Sequence, residues 1–208
     1  MKLLAFDTSS VACTVGAMQG EVVVTRHEEQ PRQHTKILMP MIRDVLAEAE
    51  LSLSELDAIV LGNGPGSFIG LRIAASVAQG LAHGAGLSVA PVSSMAAVAL
   101  AAADDGGVVA VAQDAHLDEV YLGIYRVSDD RTVTPVCDER LQRQDKIAEL
   151  DGLEHVIAAG AGWHRYPGLA DRNKERLSTI NGVLYPSANA LLDLGIAAVR
   201  DGRMLAPE

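Results

Sequence analysis

Two distant stretches of this chain are built on one plan. Leu3 to Phe6 is a short apolar run ending on Asp7, and Val108 to Ala112 is a second such run leading to Asp114. Each is followed by two more strand-like runs, and later by an apolar run that opens into closely spaced glycines. These are Gly62-Asn63-Gly64 in the first stretch and Gly160-Ala161-Gly162 in the second. A unit used twice, each time beginning with a strand that ends in Asp, restricts the chain to a duplicated α/β architecture.

The first copy reads clearly. Ala12 to Met18 and Glu21 to His27 are strand-like and are separated only by Gln19-Gly20, so they pair antiparallel. Ile37, Leu38, Met41, Ile42, Val45, Leu46 and Ala49 then recur at helical spacing, with Thr35 as a candidate N-cap and Pro40 near the first turn. Ala58 to Leu61 is a buried-type strand, Phe68 to His83 a helix rich in Ala and Gly, Ser88 to Ala90 a short strand and Ser94 to Ala103 an Ala-rich helix. The order β-β-β-α-β-α-β-α is that of an RNase H-like sheet.

Asp104-Asp105-Gly106-Gly107 combines charge with glycine and reads as a boundary, giving lobes 1–104 and 105–208. In the second lobe Val108 to Ala112, Glu119 to Val127, Val133 to Leu141 and His155 to Ala159 read as strands, and Asp145 to Leu150 as a short helix. No long helix follows Gly162, where Trp163 and Tyr166 are expected to pack on the preceding strand. Asn189 to Arg200, capped by Ser187, is the last helix. The expected fold is α/β, a duplicated RNase H-like (actin-like ATPase, ASKHA) fold with a reduced second lobe.

Composition narrows the function. The chain has 208 residues, enough for a core without disulfide or metal staples. Only 3% are aromatic, so Ala, Val, Leu and Ile must build that core. A net charge of −10, with no run of Lys and Arg, argues against tight direct binding to a phosphate backbone. Cys13 and Cys137 form no C-x-x-C pair, and two thiols or one disulfide both fit. The apolar start is too short for a signal-peptide core, and Val89 to Ala103 is too short to span a bilayer. A cytoplasmic setting is expected.

The strongest local signal is the loop Gly64-Pro65-Gly66-Ser67-Phe68-Ile69-Gly70 between a strand and a helix. Backbone amides at such a turn favour anions. Yet it has no Gly-Lys-Ser/Thr, its third dinucleotide-type glycine is replaced by Ile69, and Ser67 lacks the flanking glycines of a nucleophile elbow. Asp7-Thr8-Ser9-Ser10 at the end of the first strand could face phosphates or a metal, or simply form an Asx or Ser/Thr turn. Asp7, Thr8, Ser9, Gly64, Gly66 and Ser67 are therefore candidates for vestigial phosphate loops. The equivalent turn in the second copy, Asp114-Ala115-His116-Leu117-Asp118, has no glycine and carries bulky side chains. His116 and Asp118 supply two potential metal ligands where a site needs three or more, and no His-x-x-x-His occurs, so no metal is expected.

The first two helices point to partners. The apolar stripe of the first is wider than one sheet face needs, and the second carries Ala74, Ala75, Ala78 and Ala82 among the larger Leu71, Val77 and Leu81. Such helices could pack on the sheet and on another subunit as a four-helix bundle.

Several segments together are similar to one family. Leu4-Ala5-Phe6-Asp7-Thr8-Ser9-Ser10, Gly64-Pro65-Gly66-Ser67-Phe68 with Gly70-Leu71-Arg72-Ile73, Pro91-Val92-Ser93-Ser94-Met95, Asp114-Ala115 with Glu119-Val120-Tyr121, and Tyr185-Pro186-Ser187-Ala188 resemble the TsaB (YeaZ) family, in order, over nearly the whole chain. The resemblance implies an actin-like fold and a role in making N6-threonylcarbamoyladenosine at position 37 of tRNA. It implies a non-catalytic subunit that binds the TsaD transferase, with the ATPase TsaE joining them and tRNA reached only through the complex. It also implies a homodimer through the same helices and no cofactor. Leu38, Met41, Ile42, Val45, Leu46, Ile69, Leu71, Arg72, Ala75 and Ala78 are then the expected partner-binding residues.

TsaD-like paralogues place a His-x-x-x-His metal pair where this chain has Ser94-Met95-Ala96-Ala97-Val98, and neither Ser94 nor Val98 replaces an imidazole. The chain departs from the family pattern at Ile69, where Thr is usual, and at His116. Two readings follow. One is a non-catalytic partner subunit. The other is an enzyme on the same fold, a small ATPase or kinase or a metallopeptidase-like hydrolase.

Overall fold

Side-chain alternation fixes the first sheet. In β1 (Lys2–Asp7), Leu4 and Phe6 point to one face and Leu3 and Ala5 to the other, and all four are fully buried. A strand of this kind must be covered on both sides. In the computed structural model, which describes residues 1–145, 150 and 152–207, it lies at the centre of a five-stranded sheet. β2 (Ala12–Gln19) pairs antiparallel with β1, and β3 (Val22–Glu29) antiparallel with β2. β4 (Ala58–Gly62) and β5 (Ser88–Val92) extend the other side in parallel, giving the order β3-β2-β1-β4-β5.

The face carrying Leu4, Phe6 and Val15 packs against α1 (His34–Glu48) and α2 (Phe68–Ala85). α1 starts one residue before the expected Thr35 cap. Its N-cap is Gln33, which makes no side-chain capping bond, and Pro40 lies inside the helix. α2 begins at Phe68, with Ser67 accepting the Gly70 N–H at 3.3 Å, and closes on Gly86 in the left-handed conformation.

The opposite face has one row of mostly small residues. Gly16, Ala5, Val60 and Ala90 are successive cross-strand partners on β2, β1, β4 and β5. The last helix, α6 (Ala188–Arg200), lies close along this row, with Ser187 as its cap at 3.2 Å from the Ala190 N–H. A Cβ on Gly16 would come within 2.9 Å of the Ala188 Cβ, and one on Gly195 within 2.3 Å of a Val60 methyl. Beyond α6 the chain pairs with β5, Leu205 and Val89 exchanging backbone hydrogen bonds of 2.8 and 2.9 Å.

The C-terminal helix therefore belongs with the first sheet. The two compact units are Met1–Ser94 with Pro186–Glu208, and Met95–Tyr185. This differs from the expected division at 104/105, which left α6 with the second lobe. The reason is the Gly16–Ala5–Val60–Ala90 row, which requires a helix on it and lies far from α6 in sequence.

α3 (Ser94–Ala102) starts on the last residue of the first unit's opening segment and from Met95 on belongs to the second unit, which also holds a sheet of β6 (Gly107–His116), β7 (Glu119–Val127), β8 (Val133–Arg143), β9 (Val156–Ala159) and β10 (Leu177–Ile180). Read as β8-β7-β6-β9-β10, its order and strand senses repeat those of the first sheet, antiparallel through β8, β7 and β6 and parallel through β6, β9 and β10. The fold is the duplicated RNase H-like, actin-like one. Where the first unit joins β4 and β5 through the long α2, β9 and β10 are joined through two short helices, α4 (Ala161–Arg165) and α5 (Pro167–Asn173). Trp163 donates its indole N–H to the Ala110 carbonyl of β6 at 2.9 Å and lies in the core cluster that also holds Val156 and Ala158 of β9. The short helix expected over Asp145–Leu150 falls largely outside the described residues. Both cysteines are free thiols, and burial pushes that of Cys13 up to about 12. Among the described residues no helix is long and apolar enough to cross a membrane.

Candidate functional site

The two glycine- and Asp-bearing turns of the first unit meet and close on each other. Asp7 is 1% exposed. One carboxylate oxygen accepts the Ser9 N–H at 2.8 Å and the Ser9 hydroxyl at 2.7 Å. The other accepts the Ser94 hydroxyl, whose oxygen accepts the Gly64 N–H at 2.9 Å. Thr8 donates to the Gly70 carbonyl at 2.7 Å, and the Ser67 N–H reaches the Ser9 carbonyl at 2.6 Å. Burial raises the Asp7 carboxyl above the usual aspartate range, opposed by the hydrogen bonds from Ser94 and Ser9.

The glycines are required by this closure. A Cβ on Gly62 would lie 2.1 Å from an Asp7 carboxylate oxygen, one on Gly66 2.1 Å from the Ser9 carbonyl oxygen, and one on Gly70 1.9 Å from that of Thr8. The space that glycine leaves open is filled by the Asp7 side chain at Gly62 and by the chain's own backbone at Gly66 and Gly70. Asp7, Thr8, Ser9, Gly64, Gly66 and Ser67, the candidate phosphate-loop residues, are thus brought together, and polar groups of the two turns bond one another. Ser94 is part of the same network. Among the described residues no three His, Cys, Asp or Glu side chains gather as a metal-binding group.

The second unit repeats the contact in simpler form. A Cβ on Gly160 would lie 2.4 Å from the Ala112 carbonyl oxygen. Asp114 accepts the His116 N–H at 3.0 Å and the Tyr166 hydroxyl at 2.8 Å. His116, Leu117 and Asp118 all have positive φ, so the turn projects Leu117, which is 88% exposed.

An open surface lies between α1 and α2, a groove of about 470 Å³. The four fully buried residues of α2 are the small Gly70, Ala74, Ala78 and Ala82, with Ile73, Val77 and Leu81 packed partly against the core beside them. Larger side chains flank the stripe: Ile73 and Val77 are half-buried, while Phe68 and Ile69 are 65% and 70% exposed. His34 closes one end of the groove, its Nε2 3.3 Å from the Ala12 carbonyl.

The partner-binding expectations divide on burial. Ile69 and Arg72 are exposed, and Leu46, Leu71 and Ala75 are partly so. Leu38, Met41, Ile42, Val45 and Ala78 are at most 6% exposed and belong to the core of the first unit. The wide stripe of α1 is used within the chain, because α1 covers β2 and β3 as well as packing beside α2. Of the buried set only Leu38 reaches the groove wall. Sequence reasoning missed Met39 and Ile73 as members of this surface and named Val77 only as one of the larger side chains of the second helix. The available signal was the row of small residues Gly70, Ala74, Ala78 and Ala82 on one side of α2, which leaves the larger Ile73 and Val77 beside it.

Comparison with known proteins agrees with this geometry. The family model for TsaD, tRNA N6-adenosine threonylcarbamoyltransferase, matches residues 21–171. The tRNA threonylcarbamoyladenosine biosynthesis protein TsaB of Escherichia coli is 32% identical over 100% of this chain and 91% of its own length. The protein of the same name from Haemophilus influenzae is 34% identical over 93% of this chain and 84% of its own. The solved structure of YeaZ from Pseudomonas aeruginosa superposes with a TM-score of 0.89 at 36% identity, covering 99% of this chain and 95% of that one. With the duplicated sheets and the Asp7–glycine-loop closure in place, these matches show that the chain belongs to the TsaB (YeaZ) family.

Proposed function

We propose that this chain is a non-catalytic subunit of tRNA N6-threonylcarbamoyladenosine biosynthesis, which binds and supports a TsaD-type transferase. The pathway is that named by its relatives in Escherichia coli and Haemophilus influenzae. The observation that carries the reading is the closure of the Asp7 turn on the Gly64–Gly70 loop. The groups that would face phosphates in a nucleotide-using member of this fold hold each other instead.

The groove between α1 and α2 supports a docking role. It exposes Ile69, with the exposed Phe68 one position before it on α2, and apolar side chains of this kind drive association when covered. In this reading Ile69, Arg72, Leu71 and Ala75 contact the transferase, with Phe68 and Ile73 beside them. A homodimer uses the same groove and competes with the heteromer. A TsaE-type ATPase joins the assembled pair, tRNA is contacted through the complex, as the net charge of −10 favours, and the setting is the cytoplasm. The chain needs no cofactor of its own.

Light scattering on the purified chain mixed with the TsaD-type subunit of the same genome tests the proposal. A heteromeric species at micromolar concentrations is expected, together with tRNA modification that requires the chain and survives Asp7→Asn. Failure to associate, or ATP hydrolysis by the isolated chain that Asp7→Ala abolishes, would return the enzyme reading.

A further inference from the structure

Arg72 stands four residues after Phe68 on α2, its guanidinium carbon 3.8 Å from the centroid of the Phe68 ring. Both side chains are exposed, where stacking of this kind adds little to folding. Its effect is to restrict a long, flexible side chain to one place. The ring satisfies none of the guanidinium's N–H donors with an acceptor oxygen. Among the described residues no carboxylate is paired with Arg72, although the chain carries 27 acidic residues. None of the residues lining the groove is acidic. A held, unpaired cation thus borders an apolar cleft.

Resting on the reading of this groove as the docking surface, we propose that Arg72, held by Phe68, receives a carboxylate from the partner subunit. The occupant is an amphipathic helix whose apolar side is interrupted by one Asp or Glu opposite Arg72. The cleft lies between two helices and is sized for a few side chains, which suits a third helix laid along it. A phosphodiester suits it less, because the apolar walls would strip water from the phosphate and the chain's net charge of −10 repels nucleic acid. A carboxylate takes the guanidinium fork through two parallel hydrogen bonds, a geometry that Lys cannot reproduce. Pre-ordering by Phe68 lowers the conformational cost of making them.

The test measures the affinity of the partner subunit for wild type, Arg72→Ala, Arg72→Lys and Phe68→Leu at low and high ionic strength, with a thermal melt of each. Arg72→Ala is expected to weaken binding about tenfold or more and to flatten its salt dependence. Arg72→Lys should recover part of the loss, Phe68→Leu should lose less than Arg72→Ala, and all melts should match wild type. Wild-type affinity and salt response in Arg72→Ala would overturn the carboxylate while leaving the docking proposal standing. A wild-type chain that forms no complex removes both. Arg72 variants that lose tRNA binding by the free chain but keep the subunit would make the ligand a phosphate and also overturn the inference.

Discussion

The Ser94 hydroxyl is donated to the buried carboxylate of Asp7, 87 residues away in sequence, while the same oxygen accepts the Gly64 N–H. One side chain therefore ties the end of β1 to the loop entering α2 and to the start of α3. Ser94→Ala leaves one carboxylate oxygen and one amide without these partners in a buried site. Each such group costs about 1–3 kcal/mol, so a loss of about 2–4 kcal/mol is expected in urea unfolding. A variant within about 0.5 kcal/mol of wild type would contradict the network.

The same carboxylate makes stability depend on pH. Burial raises the Asp7 carboxyl above its ordinary range, so the folded chain holds that proton more tightly than the unfolded chain. Its contribution is full below the unfolded-chain pKa and is lost as pH rises through the folded value. Asp7→Asn cannot titrate there. The stability of wild type minus that of Asp7→Asn should be greatest in acid and shrink from the ordinary aspartate range upward. A difference that grows with pH would contradict the assignment.

Two glycines of α2 predict opposite outcomes. A Cβ on Gly70 would lie 1.9 Å from the Thr8 carbonyl oxygen, and backbone there cannot yield without opening the turn. Gly70→Ala should destabilise by about 3 kcal/mol or more. Gly80, exposed in the middle of the same helix, has no atom within 4 Å of its added Cβ. Gly80→Ala should stabilise by about 0.5–1 kcal/mol. Thermal melts of the two variants check the pair.

The seat of α6 is testable by compensation. Gly195→Ala places a methyl 2.3 Å from a Val60 methyl and should destabilise by about 1–3 kcal/mol. Val60→Ala in the same chain opens that space, so the double variant should be more stable than the sum of the two losses predicts. Strict additivity would place the helix elsewhere.

Much of this architecture is legible in the sequence where spacing alone decides the matter. The unbroken apolar run Leu3-Leu4-Ala5-Phe6 marks a strand buried on both faces, and Ser187 marks the start of α6 because its hydroxyl is the capping acceptor. What spacing does not carry is the identity of the covering element. The stripe of Leu38, Met41, Ile42 and Val45 has the same period whether a sheet or another subunit lies on it, and here it is the sheet. The glycines at 64, 66 and 70 likewise signal close approach without naming what approaches, and the Ser9 and Thr8 carbonyls fill that role at Gly66 and Gly70. α4 and β10 span too few residues to show a period, and the anchor of Trp163 to Ala110 is a long-range bond with no local signature.

The docking role of the α1–α2 groove is tested most directly by Ile69→Glu. Ile69 is 70% exposed, so the charge leaves the core untouched, whereas a charge at Val45, fully buried, would only unfold the chain. Light scattering of Ile69→Glu with the TsaD-type subunit, beside a melt of the variant alone, separates the two effects. The account predicts a wild-type melting temperature and no heteromer under conditions where the wild-type chain assembles. A folded Ile69→Glu chain that assembles as wild type does would contradict it.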